Sequence, residues 1–232
     1  RAILTICAYF GLEAHQFDVT NAFPRAELDK DEEVTIHYPE GFKVPGYRLK
    51  VLKALYGLSI SPRLWYNHLV RTLKKIGLQA VQESGCVFCN DKLIVYFYVD
   101  DIVVFYHMRN RDNFEIFKSI FFNEYTIKDM GELKWFLGIR ILRDRSELRI
   151  WLVQDSYIEK VARHFNRIEK DGQLINKSAK TPMKTDEIKS RMNVATSHEI
   201  HEYQRRIGSL TYAATVSRPD IAKAVQKLAE AQ

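Results

Sequence analysis

Tyr98-Val99-Asp100-Asp101 places two adjacent carboxylates between the apolar runs Leu93-Ile94-Val95-Tyr96-Phe97 and Ile102-Val103-Val104-Phe105. Charges inside so long an apolar stretch are costly unless they are paired, solvated or metal-bound. Two short runs of this composition around a polar pair read as the arms of a β-hairpin, with the turn at Asp100-Asp101. At a tight turn both carboxylates can point to one end of a buried sheet. There they repel each other, and a divalent cation relieves the repulsion. Hard oxygen ligands suit Mg²⁺ or Mn²⁺ rather than Zn²⁺. The plainer reading of the same four residues is an Asp-rich turn.

A second carboxylate-bearing strand stands near the start of the chain. Gln16-Phe17-Asp18-Val19 reads as a strand that leaves through Thr20-Asn21. If it neighbours the hairpin, Asp18 joins Asp100 and Asp101. Three carboxylates can hold two metal ions ~3.5–4 Å apart, the arrangement for in-line phosphoryl displacement. Taken alone, Asp18 reads as a strand-end or turn carboxylate, the more common case.

The remaining pattern is mixed. Residues 1–14 and 110–124, 155–165, 198–216 and 219–230 read as helices. Ser61-Pro62 reads as a cap followed by Pro in the first turn, opening a helix to about Ile76 with Gly77 as its stop. Strands are expected at 33–38, 86–89, 93–99, 102–106, 136–143 and 148–153. Residues 166–198 are polar and form the best linker candidate. This places an α+β domain at about 1–153 and a helical appendage over 154–232. No apolar run approaches the ~20 residues of a membrane-spanning helix. With 35 Lys and Arg against 29 Asp and Glu, the chain carries a formal charge of +6, compatible with a phosphate-backbone partner. Three cysteines argue against a disulfide scaffold and fit a reducing compartment. The first residues read as the middle of a helix without an initiator Met, so the chain is expected to be a piece of a longer protein.

Several segments in order carry a family resemblance. They are Phe17-Asp18-Val19 with Ala22-Phe23; Pro39-Glu40-Gly41-Phe42; Ala54-Leu55-Tyr56-Gly57-Leu58 with Ser61-Pro62-Arg63-Leu64-Trp65-Tyr66; Tyr98-Val99-Asp100-Asp101; Phe136-Leu137-Gly138-Ile139; and Ile207-Gly208-Ser209-Leu210-Thr211-Tyr212 with Ser217-Arg218-Pro219-Asp220-Ile221-Ala222. Together they resemble the copia-type (Ty1/copia, Pseudoviridae) retrotransposon reverse transcriptases over nearly the whole chain. The resemblance implies a right-hand polymerase palm, an antiparallel sheet packed on helices, with a helical thumb-like C-terminal appendage and most of the fingers missing. It implies two Mg²⁺ (or Mn²⁺) ions held at Asp18, Val19, Asp100 and Asp101, with Asp18, Asp100 and Asp101 catalytic. Phe23 falls where such enzymes keep an aromatic that excludes a ribose 2′-hydroxyl, although a core Phe explains it as well. Tyr56, Gly57, Ser61, Pro62 and Tyr98 would line the nucleotide pocket, and Phe136, Leu137 and Gly138 would contact the primer. For Trp135, core packing is the expectation.

The implied partners are an RNA or DNA template with its primer, dNTPs, and the fingers, RNase H and integrase segments of a parent polyprotein, in a cytoplasmic virus-like particle. No membrane partner is expected. Pro24 stands where the family usually has Leu, Arg25-Ala26 departs from its Asn-Gly type of turn, and Ser59-Ile60 replaces the usual Lys-Gln. The alternative to an active polymerase is a catalytically silent remnant that only binds nucleic acid; a truncated palm with no stable function is a third.

Other signals carry less. Cys86-x-x-Cys89 has zinc spacing but no second pair nearby. His198-Glu199-Ile200-His201 has two residues between its histidines where a zinc protease helix has three. Asp29, Asp31, Glu32 and Glu33 read as a solvated acidic turn. Lys74-Lys75 with Arg71, and Arg205-Arg206, read as backbone contacts or as solvated helix faces.

Overall fold

The computed structural model describes residues 1–29, 32–165, 181–183 and 194–230. Its elements run α1 (Ala2–Tyr9), β1 (Glu13–Val19), β2 (Thr35–Ile36), β3 (Leu49–Lys50), α2 (Ser61–Lys75), β4 (Gln79–Val81), β5 (Ser84–Cys89), β6 (Leu93–Tyr98), β7 (Asp101–Tyr106), α3 (Arg111–Glu124), β8 (Ile127–Glu132), β9 (Trp135–Phe136), β10 (Ile139–Asp144), β11 (Arg149–Val153), α4 (Asp155–His164), α5 (Ser197–Val216) and α6 (Ala222–Ala229). Two compact units result: Arg1–Leu133 with Asp144–Ile150, and Lys134–Arg143 with Trp151–Gln232. The expected linker at 166–198 lies largely outside the described residues. No described helix is long and apolar enough to cross a membrane.

The first unit is built on a six-stranded sheet in the order β4-β5-β6-β7-β1-β8. Every pairing in it is antiparallel. Side chains alternate across a strand, so each strand gives one residue set to each face. Phe17 and Val19 of β1, Ile102, Val104 and Tyr106 of β7, and Val95 and Phe97 of β6 share one apolar cluster with Trp65, Leu69 and Leu73 of α2 and with Phe114, Phe117 and Phe121 of α3. The two helices thus cover one face of the sheet. The intervening residues, Asp18 and Gln16 on β1, Asp101 and Val103 on β7, and Tyr98 and Tyr96 on β6, belong to the other face.

Boundaries moved for local reasons. The expected helix over residues 1–14 ends at Tyr9, because Gly11 takes a φ of 61° and turns the chain into β1. The strand expected over 33–38 keeps only Thr35 and Ile36 in its ladder with Lys50 and Leu49. The strand expected over 136–143 breaks into β9 and β10 at Leu137 and Gly138, whose φ values of 49° and 76° are those of a type I′ turn. Edge strands β4 and β8 were not expected at all. They are polar or very short, and edge strands need no apolar alternation.

The edge strand β8 is tied down by one carboxylate. Asp129 accepts from the His15 ring at 2.5 Å, the Lys118 ammonium at 2.6 Å and the Gly131 amide at 2.9 Å. Burial alone would raise its carboxyl, but these donors outweigh burial and bring it down from 3.8 to about 2. A depressed carboxylate stabilises the fold above its unfolded pKa and loses that effect as pH falls through the folded one. Asp129→Asn is therefore expected to lower stability by ~1 kcal/mol at neutral pH, after allowance for solvent screening. The gap should close as the pH drops from about 4 toward 2, which urea titrations at several pH values would check. A gap independent of pH would refute this account.

In the second unit β9 and β10 pair antiparallel, and α4, α5 and α6 are helical as expected. Thr196 and Glu199 form a reciprocal capping box at the start of α5. That is the use of Glu199 in the His198-Glu199-Ile200-His201 stretch. Tyr157 donates to the Ser209 carbonyl at 3.0 Å and Tyr203 to the Leu228 carbonyl at 2.7 Å, so each of these helices is tied by a tyrosine hydroxyl.

Candidate active site

The acidic turn occupies Val99 and Asp100, one residue earlier than expected. Tyr98 pairs with Asp101 across it, so Asp101 is the first residue of β7. Val99 has a φ of 59° and Asp100 does not share the positive sign, which is the pattern of a type II′ hairpin turn. A β-branched residue there is a true outlier, since its Cβ crowds the backbone. Two hydrogen bonds fix the turn from outside it. The Val19 amide donates to the Asp100 carbonyl at 3.0 Å, and the Trp65 indole Nε1–H donates to the Val99 carbonyl at 2.6 Å.

This arrangement brings β1 against the turn. Asp18 stands opposite Asp101 in the β1–β7 register and opposite Lys128 in the β1–β8 register. Asp101 is half-buried, and the Gln16 side-chain amide donates to its Oδ1 at 3.1 Å. Burial pushes the Asp101 carboxyl up, the Gln16 hydrogen bond opposes that, and the charges of Asp100 and Asp18 push it up further. Asp18 and Asp101 therefore share one end of one sheet face, with Asp100 in the adjoining turn, and Asp101 feels the charge of the other two. The three do not converge on one point: among the described residues no group of three or more His, Cys, Asp or Glu side chains is arranged to hold a metal ion. The donor chemistry nevertheless fits a hard divalent cation, because every donor is a carboxylate oxygen and the crowding felt at Asp101 is the kind a cation relieves.

Gln16 was read from sequence only as a strand residue. It is 8% exposed, with its amide on Asp101. Its strand is polar at most positions, so no local pattern singled Gln16 out, and its partner is 85 residues away in sequence.

The residues expected around the nucleotide divide into contacts and supports. Phe23 opens a short 3₁₀ turn, Phe23–Arg25, that accommodates Pro24, and its ring lies 4.7 Å from that of Tyr56. Tyr56 and Tyr98 are exposed. Gly57 has a φ of 95° with open space where a Cβ would stand, so backbone conformation is what demands glycine there. Ser61 is fully buried and donates to the Leu55 carbonyl at 2.6 Å. It is the first helical residue and not the expected cap, a position held by Ile60; its hydroxyl shapes the 55–61 loop. Pro62 follows in the first turn of α2 and is exposed. Phe136, Leu137 and Gly138 belong to the second unit, at the β9–β10 turn, where Leu137 is exposed. Trp135 is 46% exposed, which corrects the expectation that it packs in a core.

The other signals resolve simply. The three cysteines form no disulfide. Asp29 and Glu32 pair with Arg63, while Asp31 lies outside the described residues. Arg205 bonds Glu202 and the His164 ring, and Arg206 lies 5.4 Å from the centre of the Phe165 ring. These two arginines serve the second unit's own packing.

Comparison with known proteins adds a family. The model of the family described as reverse transcriptase (RNA-dependent DNA polymerase) matches residues 1–179. The chain is 31% identical over 235 residues to the retrovirus-related Pol polyprotein from transposon TNT 1-94 of Nicotiana tabacum, covering 97% of this chain and 17% of that protein. It is 33% identical over 239 residues to the Pol polyprotein from transposon RE1 of Arabidopsis thaliana, covering 99% of this chain and 15% of that protein. It is 30% identical over 222 residues to the putative transposon Ty5-1 protein of Saccharomyces cerevisiae, covering 91% of this chain and 67% of that protein. The chain thus spans less than a fifth of the length of the two plant polyproteins.

Proposed function

This chain belongs to the reverse transcriptase (RNA-dependent DNA polymerase) family, as a copia-type retrotransposon Pol fragment, and from that premise we propose that it extends a primer by nucleotidyl transfer on an RNA or DNA template. One observation supports the reading most directly. Asp18 and Asp101 pair at one end of the sheet face opposite α2 and α3, and Asp100 occupies the turn next to them. Residues 1–153 are read as palm and 154–232 as a thumb-like segment.

Asp18, Asp100 and Asp101, with the Val19 backbone beside them, are the residues that would hold two Mg²⁺ or Mn²⁺ ions. Bound there, the ions would supply charge stabilisation for the primer 3′-hydroxyl and the departing pyrophosphate. Asp18 and Asp100 are assigned the principal ligand roles and Asp101, tied to Gln16, a supporting one. Phe23, packed on Tyr56, would lie under the deoxyribose and exclude a 2′-hydroxyl. Gly57, in the loop braced by Ser61, would line the nucleotide pocket together with Pro62 and Tyr98. Phe136, Leu137 and Gly138 are assigned to the primer strand. The parent would work in a cytoplasmic particle beside fingers, RNase H and integrase segments.

A second reading, a silent nucleic-acid binder, draws on the carboxylates' failure to converge. Primer extension on an annealed RNA template, with dNTPs and Mg²⁺ or Mn²⁺, separates the two. Extension is expected. Salt-sensitive binding of primer–template without extension under either ion would favour the silent binder.

A further inference from the structure

We propose that Trp65 is a positioning residue for the acidic turn: its indole N–H, by holding the Val99 carbonyl, keeps Val99 at positive φ and Asp100 and Asp101 at the end of the sheet. The proposal rests on the polymerase reading of that turn.

Trp65 is 2% exposed, and a buried indole N–H needs an acceptor. The acceptor is a turn carbonyl, at 2.6 Å, from a segment distant in sequence. The ring cannot easily swing away. It stands edge-on to Tyr125 with centroids 5.5 Å apart and stacks on His68 at 6.0 Å. Across the bond, Val99 holds a φ of 59°, a backbone state that a β-branched residue keeps only where its surroundings over-determine it. The next carbonyl, that of Asp100, is held by the Val19 amide. The Val99–Asp100 pair is therefore clamped on one side by α2 and on the other by β1, the strand that carries Asp18. The same helix begins at Ser61, whose hydroxyl holds the Leu55 carbonyl. One rigid element thus sets both the 55–61 loop and the acidic turn.

The test is Trp65→Phe, which keeps an aromatic ring and removes the donor, studied in the full chain. The amide of Val19 is expected to exchange with solvent about tenfold faster, because the Asp100 carbonyl is no longer fixed, while amides of the β5–β6 pairing are unchanged. In primer extension kcat should fall about tenfold, ~1.4 kcal/mol in barrier. KM for dNTP should stay within about twofold, as a loss confined to the transition state requires. Adding Val99→Gly to Trp65→Phe should restore kcat, because glycine takes that φ without a Cβ penalty. A loss that Val99→Gly does not restore would show that Trp65 acts by packing alone, and would overturn the proposal. Unchanged Val19 exchange would overturn it too. Should the wild-type chain extend no primer, the polymerase reading fails, and the exchange of Val19 still decides whether Trp65 holds the turn.

Discussion

Asp100→Asn is expected to abolish primer extension while leaving primer–template affinity nearly intact. The substitution keeps the side chain's size and its place in the turn, and removes one negative charge from a cluster whose proposed task is to hold cations. Removal of a single group that stabilises transition-state charge commonly costs ~10²–10³-fold in turnover. A bound metal ion concentrates that effect, so the loss should lie at or beyond the upper end of the range. Binding should persist because backbone contacts, and not this carboxylate, carry nucleic-acid affinity. The turn itself should survive, since the Asp100 group that anchors it is its carbonyl, bonded to the Val19 amide at 3.0 Å. Turnover and binding measured side by side decide the matter. Equal turnover in the variant would remove Asp100 from the site, and loss of binding with turnover would point to misfolding instead.

Phe121→Ala is expected to lower stability by ~3–5 kcal/mol. Phe121 is completely buried in the cluster that joins α3 to the sheet, with ring centroids 5.1 Å from Phe117 and 4.9 Å from Tyr125. Truncation loses the transfer energy of the ring and leaves a cavity that flanking aromatic rings are too rigid to fill. It also loosens Tyr125, whose hydroxyl donates to the Thr72 Oγ1 at 2.7 Å and whose ionisation burial pushes up to about 12. Because whole-domain stabilities are themselves only ~5–15 kcal/mol, much of the variant should be unfolded at mild urea concentrations. A midpoint shift worth less than ~1 kcal/mol would mean that this cluster is not what holds α3 to the sheet.

What could be read without coordinates was whatever a short window of residues dictates. The short β-branched and aromatic runs around Asp100-Asp101 read as two strands and a turn, and the structure has both strands. Ser61-Pro62 opens a helix because Pro belongs in a first turn. The family, too, was legible, because its motifs are local and their order survives in sequence.

The tertiary structure decided the rest. That Asp18 faces Asp101, and that Gln16 reaches its carboxylate from 85 residues away, follows from β1 inserting between β7 and β8. Strand order depends on how apolar faces are buried together and leaves no local mark. The register of the acidic turn is likewise non-local. Propensity disfavours a valine at positive φ, and it is the Trp65 indole, brought in by α2, that accompanies that conformation. Edge strand β8 was invisible because its residues, largely exposed, answer to Lys118 and His15 and not to a hydrophobic period. Local chemistry determines which segments turn, coil or extend; only long-range packing and its hydrogen bonds determine which carboxylates meet.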